Sequence, residues 1–120
     1  MTTRETIQKY FDAIHAGGWE SFIADDFVFI NSNLDRAAHG RAAYVEGAGR
    51  FFRATTGVEV KKLIVDGNDA SVIARYQVRS PKGITSLCDV AEVLSVRDGK
   101  IASNAIFFDT AAFREFMAAG

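Results

Sequence analysis

Apolar residues recur at helical spacing near the start of the chain, at Ile7, Tyr10, Phe11 and Ile14. Thr2 and Glu5 ahead of them fit a capping box, in which each side chain satisfies a free amide of the first turn. A helix over about residues 3–16 is predicted, closed by Gly17-Gly18, since glycine reaches the left-handed conformation that ends helices. Trp19, Phe22 and Ile23 predict a short second helix, and Asp25-Asp26 a break before a strand from Phe27 to Asn31. Ser32 to Gly40 is polar and irregular. Tyr44, Val45, Ala48, Phe51 and Phe52 then form the apolar stripe of a third helix that ends before Gly57.

From Val58 the period changes to two. Val58-Glu59-Val60-Lys61 alternates and slips at Lys62 into Leu63-Ile64-Val65, a bulge signal. Asp66-Gly67-Asn68-Asp69 is a turn, Ala70 to Ser80 a long strand, Pro81-Lys82-Gly83 a second turn, and Ile84 to Val96 a strand rich in β-branched residues. Asp98-Gly99 is a two-residue hairpin turn that needs positive φ at both centres, leading into Ile101–Phe108. Asp109 or Thr110 caps a closing helix with Phe113, Phe116 and Met117. Helices, one strand, a helix, then a four-strand antiparallel meander and a last helix make a segregated α+β order. Strands this long twist and curl, and helices across the concave side close a cone with an open mouth, where small-molecule pockets form.

Composition narrows the picture. A chain of 120 residues, 48% hydrophobic and 24% charged, is the size of one domain, spanning residues 1–120. Fourteen basic residues against fifteen acidic leave a net charge of -1, without the excess that holds a phosphate backbone, so nucleic acid is not an expected partner. No apolar run reaches membrane-spanning length, and Arg4, Glu5 and Lys9 interrupt any signal-peptide core, so no membrane partner and a cytoplasmic location are expected. The glycines match neither dinucleotide nor phosphate-loop patterns, and His15, His39 and Cys88 show no paired metal-ligand spacing. Neither a cofactor nor a metal is expected. Cys88, mid-strand and without a neighbouring cation, reads as a small buried hydrophobe.

The opening helix with Tyr10, the Trp19-Glu20-Ser21-Phe22-Ile23-Ala24-Asp25-Asp26 segment running into a strand, and Gly40 before the third helix together form one pattern. So does the end, Asp89-Val90-Ala91-Glu92-Val93-Leu94-Ser95-Val96-Arg97-Asp98-Gly99-Lys100-Ile101 followed by Phe107-Phe108-Asp109. Across its whole length the chain resembles the nuclear transport factor 2-like superfamily, in particular its SnoaL-like branch. The resemblance implies the cystatin-like α+β roll: a cone-shaped curved antiparallel sheet with helices on its concave face. It leaves function open, since the superfamily holds isomerases, cyclases, dehydratases, epoxide hydrolases and binding modules.

Tyr10 looks like the helix-one tyrosine that donates to the oxyanion in ketosteroid isomerases. Their carboxylate base falls at Asn31 and their second acid near Ala91, neither of which exchanges a proton near neutral pH. In SnoaL-type cyclases the acid falls at Ile106, with Asn104 in place of a nearby histidine. If Ala91 lines the cone, as the resemblance implies, strand alternation brings Asp89 in with it. An acid among phenylalanines is desolvated, which raises its pKa toward a useful range; the alternative is an acid paired with Arg75 or Arg41, or solvated at the mouth. Asp89 is thus the candidate catalytic residue, and Tyr10, Asn31, His39, Tyr76 and Asn104 are candidate ligand contacts.

Two readings follow. One is a cofactor-free acid/base isomerase, cyclase or hydrolase acting on a small apolar molecule in the cone. The other is a non-catalytic ligand-binding or protein-interaction module on the same fold. Strand 84–96 is apolar on both faces, so its uncovered face predicts a homodimer through the convex side of the sheet, as the resemblance also implies.

Overall fold

The computed structural model describes residues 1–31 and 36–119. Helix α1 spans Thr3–Ala16, a 3₁₀ turn Trp19–Phe22, strand β1 Ile23–Asn31, β2 Arg36–His39 and helix α2 Arg41–Arg53. Strands β3 Thr55–Asp66, β4 Asp69–Arg79, β5 Thr85–Arg97 and β6 Lys100–Phe107 follow, then helix α3 Thr110–Ala119. The six strands form one curved sheet in the order β2-β1-β6-β5-β4-β3. Only the β1–β6 pair is parallel; the last four strands are the expected meander.

Local chemistry accounts for most boundaries. Both arms of the capping box form, Glu5 N donating to Thr2 Oγ1 at 3.1 Å and Thr2 N to Glu5 Oε1 at 3.2 Å, and α1 stops at Gly17 with φ 104°. Asp98 and Gly99 both take positive φ, 53° and 73°, as a primed hairpin turn requires. Asp109 Oδ1 accepts from Ala112 N at 2.9 Å to start α3.

Three boundaries differ from the sequence expectation. β1 begins at Ile23, because Asp25 and Asp26 stay extended with exposed side chains, Asp26 paired with Arg97, while the β1–β6 register shifts between Ile23 and Val28. The third helix ends before Gly57 as expected, but β3 begins at Thr55 rather than Val58, so Gly57 lies inside the strand. It sits at a register shift between Thr55 and Gly57, a position where a residue without a side chain suits a bulge. Of the stretch expected to be irregular, 36–39 is a strand and 32–35 lies outside the described residues. The expected slip at Lys62 is present as a shift between Val60 and Lys62.

Helices α1 and α2 cover one face of the sheet. Ile7, Tyr10, Phe11 and Ile14 of α1 meet Val72, Ala74 and Tyr76 of β4, Val90, Leu94 and Val96 of β5, and Ile101 of β6 in the core. Burying an aliphatic side chain such as Leu94 or Ile101 stabilises the fold by roughly 1.5–3 kcal/mol each. α3 is different: none of its residues is buried, and it packs through Phe113, whose ring lies 5.8 Å from Phe51 of α2 and 5.9 Å from Phe108 just beyond β6 between centroids.

Candidate functional site

Beneath α2 the aromatic side chains do not close. Phe29 from β1, Tyr44, Phe51 and Phe52 from α2, Tyr76 from β4 and Phe108 beyond β6 surround a cavity of about 310 Å³, within the range of small-molecule sites. Ala43, Gly47 and Ala48 supply small side chains on the helix side, which is why space remains there. The rings brace one another: Phe51 meets Tyr76 at 5.1 Å, and Phe29 meets Tyr44 at 5.1 Å.

Polar groups gather on one wall. The β4–β5 register pairs Val72 with Glu92 and Ala74 with Val90, which turns Val90, Glu92 and Leu94 toward the helices. Glu92 is 3% exposed and lines the cavity. Tyr76 Oη donates to its Oε2 at 2.7 Å and Asn104 Nδ2 to its Oε1 at 2.9 Å. Tyr44 lies beside the Asn104 amide, and its hydroxyl shares a 2.9 Å hydrogen bond with that of Tyr10. Two hydrogen-bonded groups therefore meet at this wall, Tyr10 with Tyr44 and Glu92 with Tyr76 and Asn104.

Burial sets the proton affinities. Removal from water pushes the Glu92 carboxyl above its ordinary value, opposed by the two donated hydrogen bonds. The Tyr10, Tyr44 and Tyr76 hydroxyls are pushed up, foremost by burial, so all three keep their protons near neutral pH. Cys88 is raised by burial as well and stays a thiol. Among the described residues, no three of His, Cys, Asp and Glu converge to hold a metal.

The expected site is partly assembled and partly redistributed. Tyr76 and Asn104 line the cavity. Tyr10 lies one hydrogen bond behind it, fully packed in the core. Asn31 pairs with Ile106 in the sheet and is half-buried, but it is not among the residues lining the cavity. His39 pairs with Val28 at the far edge and is exposed, away from the cavity.

Asp89 does not face the cavity. It stands across from Arg75 on the opposite side of the sheet, its side chain 53% exposed, and takes two hydrogen bonds from the guanidinium at 2.8 and 3.1 Å. That contact holds its carboxyl below the ordinary range. It borders a second crevice with Asp109, Phe113 and Phe116, apart from the Glu92 wall. The expectation anchored strand parity on Ala91, and a one-residue error in parity exchanges the two faces of a strand completely. The alternative of an arginine partner is what the structure shows.

Glu92 and Tyr44 are the polar cavity residues that sequence reading passed over. A signal for Glu92 was present. In β5 one phase reads Asp89, Ala91, Val93, Ser95 and the other Val90, Glu92, Leu94, Val96, so Glu92 is the single charge in the more apolar phase. An acid in the phase that packs inward is the one with a desolvated carboxyl.

The curved six-strand sheet, its covering helices and the cavity between them define a nuclear transport factor 2-like α+β roll. A family model described as the SnoaL-like domain matches residues 7–104, and the chain belongs to this family. Among solved structures, the chain is similar to a protein from Jannaschia sp. CCS1 provisionally described as a SnoaL-like polyketide cyclase. The TM-score is 0.82 at 21% identity, over 98% of this chain and 92% of that one. A nuclear transport factor 2-like protein of unknown function from Cytophaga hutchinsonii ATCC 33406 matches at TM-score 0.76 and 19% identity, over 96% of each chain. The epoxide hydrolase/cyclase-like enzyme SalBIII, which functions in pyran ring formation in the polyether salinomycin, matches at TM-score 0.80 and 18% identity, over 91% of this chain and 92% of SalBIII. No curated protein matches the chain in sequence. At these identities the likenesses establish the fold.

Proposed function

We propose that this SnoaL-like chain binds a small apolar molecule in the cavity under α2 and moves a proton on it with Glu92, as a cofactor-free isomerase, cyclase or hydrolase. The observation that carries this reading is one buried carboxyl on the wall of an aromatic cavity, held between Tyr76 and Asn104. A carboxyl raised by desolvation is a stronger base when ionised and remains a usable acid closer to neutral pH. Aromatic walls keep water from competing for the proton. The cyclase description of the Jannaschia protein and the ring-forming role of SalBIII accord with proton transfer on a carbon skeleton of this kind.

The test uses 6-hydroxy-2-tetralone, a bicyclic ketone with acidic α-hydrogens and one hydroxyl. Its α-hydrogens are followed by NMR as they exchange in D₂O. Exchange faster than buffer with the native chain, lost in Glu92→Gln while the fold and probe binding persist, supports Glu92 as the proton carrier. Equal exchange by the variant refutes it, and binding without any acceleration favours a non-catalytic binding module.

A homodimer through the uncovered sheet face belongs to the same reading. Ile30, Ala105 and Val93 stand side by side across β1, β6 and β5, with Phe107, Ala91 and Ile73 in the next row. Ile30, Val93, Phe107 and Ile73 are all exposed. A second copy of this chain covers such a patch symmetrically, the apolar rows against each other and the Asp89–Arg75 pair at the edge.

A further inference from the structure

The polar wall of the cavity has one group left over. Asn104 is 2% exposed, and its amide nitrogen is already engaged: it donates to Glu92 Oε1 at 2.9 Å and lies against the Tyr44 hydroxyl. Its carbonyl oxygen, Oδ1, is buried without a hydrogen-bond partner. A carboxamide carries two donors and one acceptor, and here the donor end is turned toward the carboxyl and the phenol. Both Glu92 oxygens accept in this arrangement, one from Tyr76 and one from Asn104, and against the ionised carboxyl a turned-over amide would set Oδ1 facing a second acceptor. The orphan is therefore an acceptor, and a buried acceptor left unmade weakens the site until a donor reaches it.

Charge points the same way. The remaining polar groups on the cavity wall are the Glu92 carboxyl and the Tyr44 and Tyr76 phenols, and no Lys, Arg or His is among the described residues that line it. An anionic ligand would meet a carboxyl group and a carbonyl oxygen in a poorly solvated space, with no cation to offset it.

Resting on the reading of this cavity as the ligand site, we propose that Asn104 Oδ1 is its specificity-determining acceptor and selects a non-anionic, largely apolar ring ligand that presents a hydrogen-bond donor such as a hydroxyl group. An ether or an unadorned ring of the same size fills the volume but leaves Oδ1 unpaired. A carboxylate or phenolate of the same size is rejected electrostatically.

Three probes of one skeleton test it by calorimetry on the native chain near pH 7: 2-naphthol, 2-methoxynaphthalene and 2-naphthoate. The expected order is naphthol tightest, the methyl ether weaker by about tenfold or more, and naphthoate weakest. In Asn104→Leu, shown folded by circular dichroism, the preference of naphthol over its ether should disappear. Equal affinity for naphthol and ether, tightest binding of naphthoate, or a hydroxyl preference that survives in Asn104→Leu overturns the inference while leaving the cavity reading intact. If Asn104→Leu does not fold, the native series alone decides. Failure of all three probes to bind at millimolar concentration overturns the ligand-cavity reading itself, and the inference with it.

Discussion

Replacing Glu92 with Gln keeps the length of the side chain and an acceptor for Asn104, reverses the Tyr76 contact so that the amide donates to the phenol oxygen, and removes the carboxyl that titrates there. Burial holds the Glu92 carboxyl above its ordinary value of 4.5 in the folded chain. As pH rises past that value, the unfolded chain ionises first while the folded chain still keeps the proton. In this interval the folded state binds one more proton than the unfolded state, so native stability falls as pH rises. The stability difference, Glu92→Gln minus native, is therefore level in acid and grows through the interval. It becomes level again once the folded carboxyl has ionised. One carboxyl limits the slope to about 1.4 kcal/mol per pH unit. For a chain of this size that amounts to a divergence in Tm on the order of 6 °C per pH unit. Urea unfolding of both proteins at steps between about pH 4 and pH 8 measures it, and subtracting the two curves cancels every other titrating group. A difference that stays level over the whole range, or that shrinks as pH rises, refutes the claim that Glu92 is the desolvated acid of the site.

Asp89→Asn should behave in the opposite sense. The hydrogen bonds from Arg75 hold the Asp89 carboxyl below its ordinary 3.8, so the pair contributes stability above that value and loses it as pH falls through the lower folded value. The variant is expected to lose a little stability near neutral pH and none in strong acid, with probe binding unchanged; a loss that grows in acid, or abolished binding, contradicts the placement. Val93→Lys sets a charge in the exposed apolar rows of the outer face, where Val93 is 47% exposed. A folded monomer by light scattering is expected for the variant against a dimer for the native chain at tens of micromolar, and a monomeric native chain refutes the homodimer.

The turns and the helix ends were legible because their causes are local. Thr2 and Glu5 lie within one helical turn of each other, and Asp98-Gly99 needs only its own backbone to reverse the chain. The bulge near Lys62 announced itself as a broken alternation. Tyr76 and Asn104 could be placed by parity within their own strands. The strand from Ile23 was not legible, because two adjacent aspartates read as a break, whereas in the sheet they face solvent and cost little.

The amino-acid sequence by itself determined that β5 has two faces, which residues share each, and that one face holds Asp89 while the other holds Glu92, because side chains alternate with a period of two. Which face turns toward α2 was decided only by the tertiary structure. Alternation is symmetric under exchange of the two sides, and the choice is made when helices far away in sequence settle on one of them. The same packing turns the Asn104 amide toward Glu92 and leaves its carbonyl unpaired, and it lays β1 parallel to β6 across more than seventy residues of chain. A buried carboxyl acquires its proton affinity from the helices that exclude water from it, and its neighbours along the strand do not supply that.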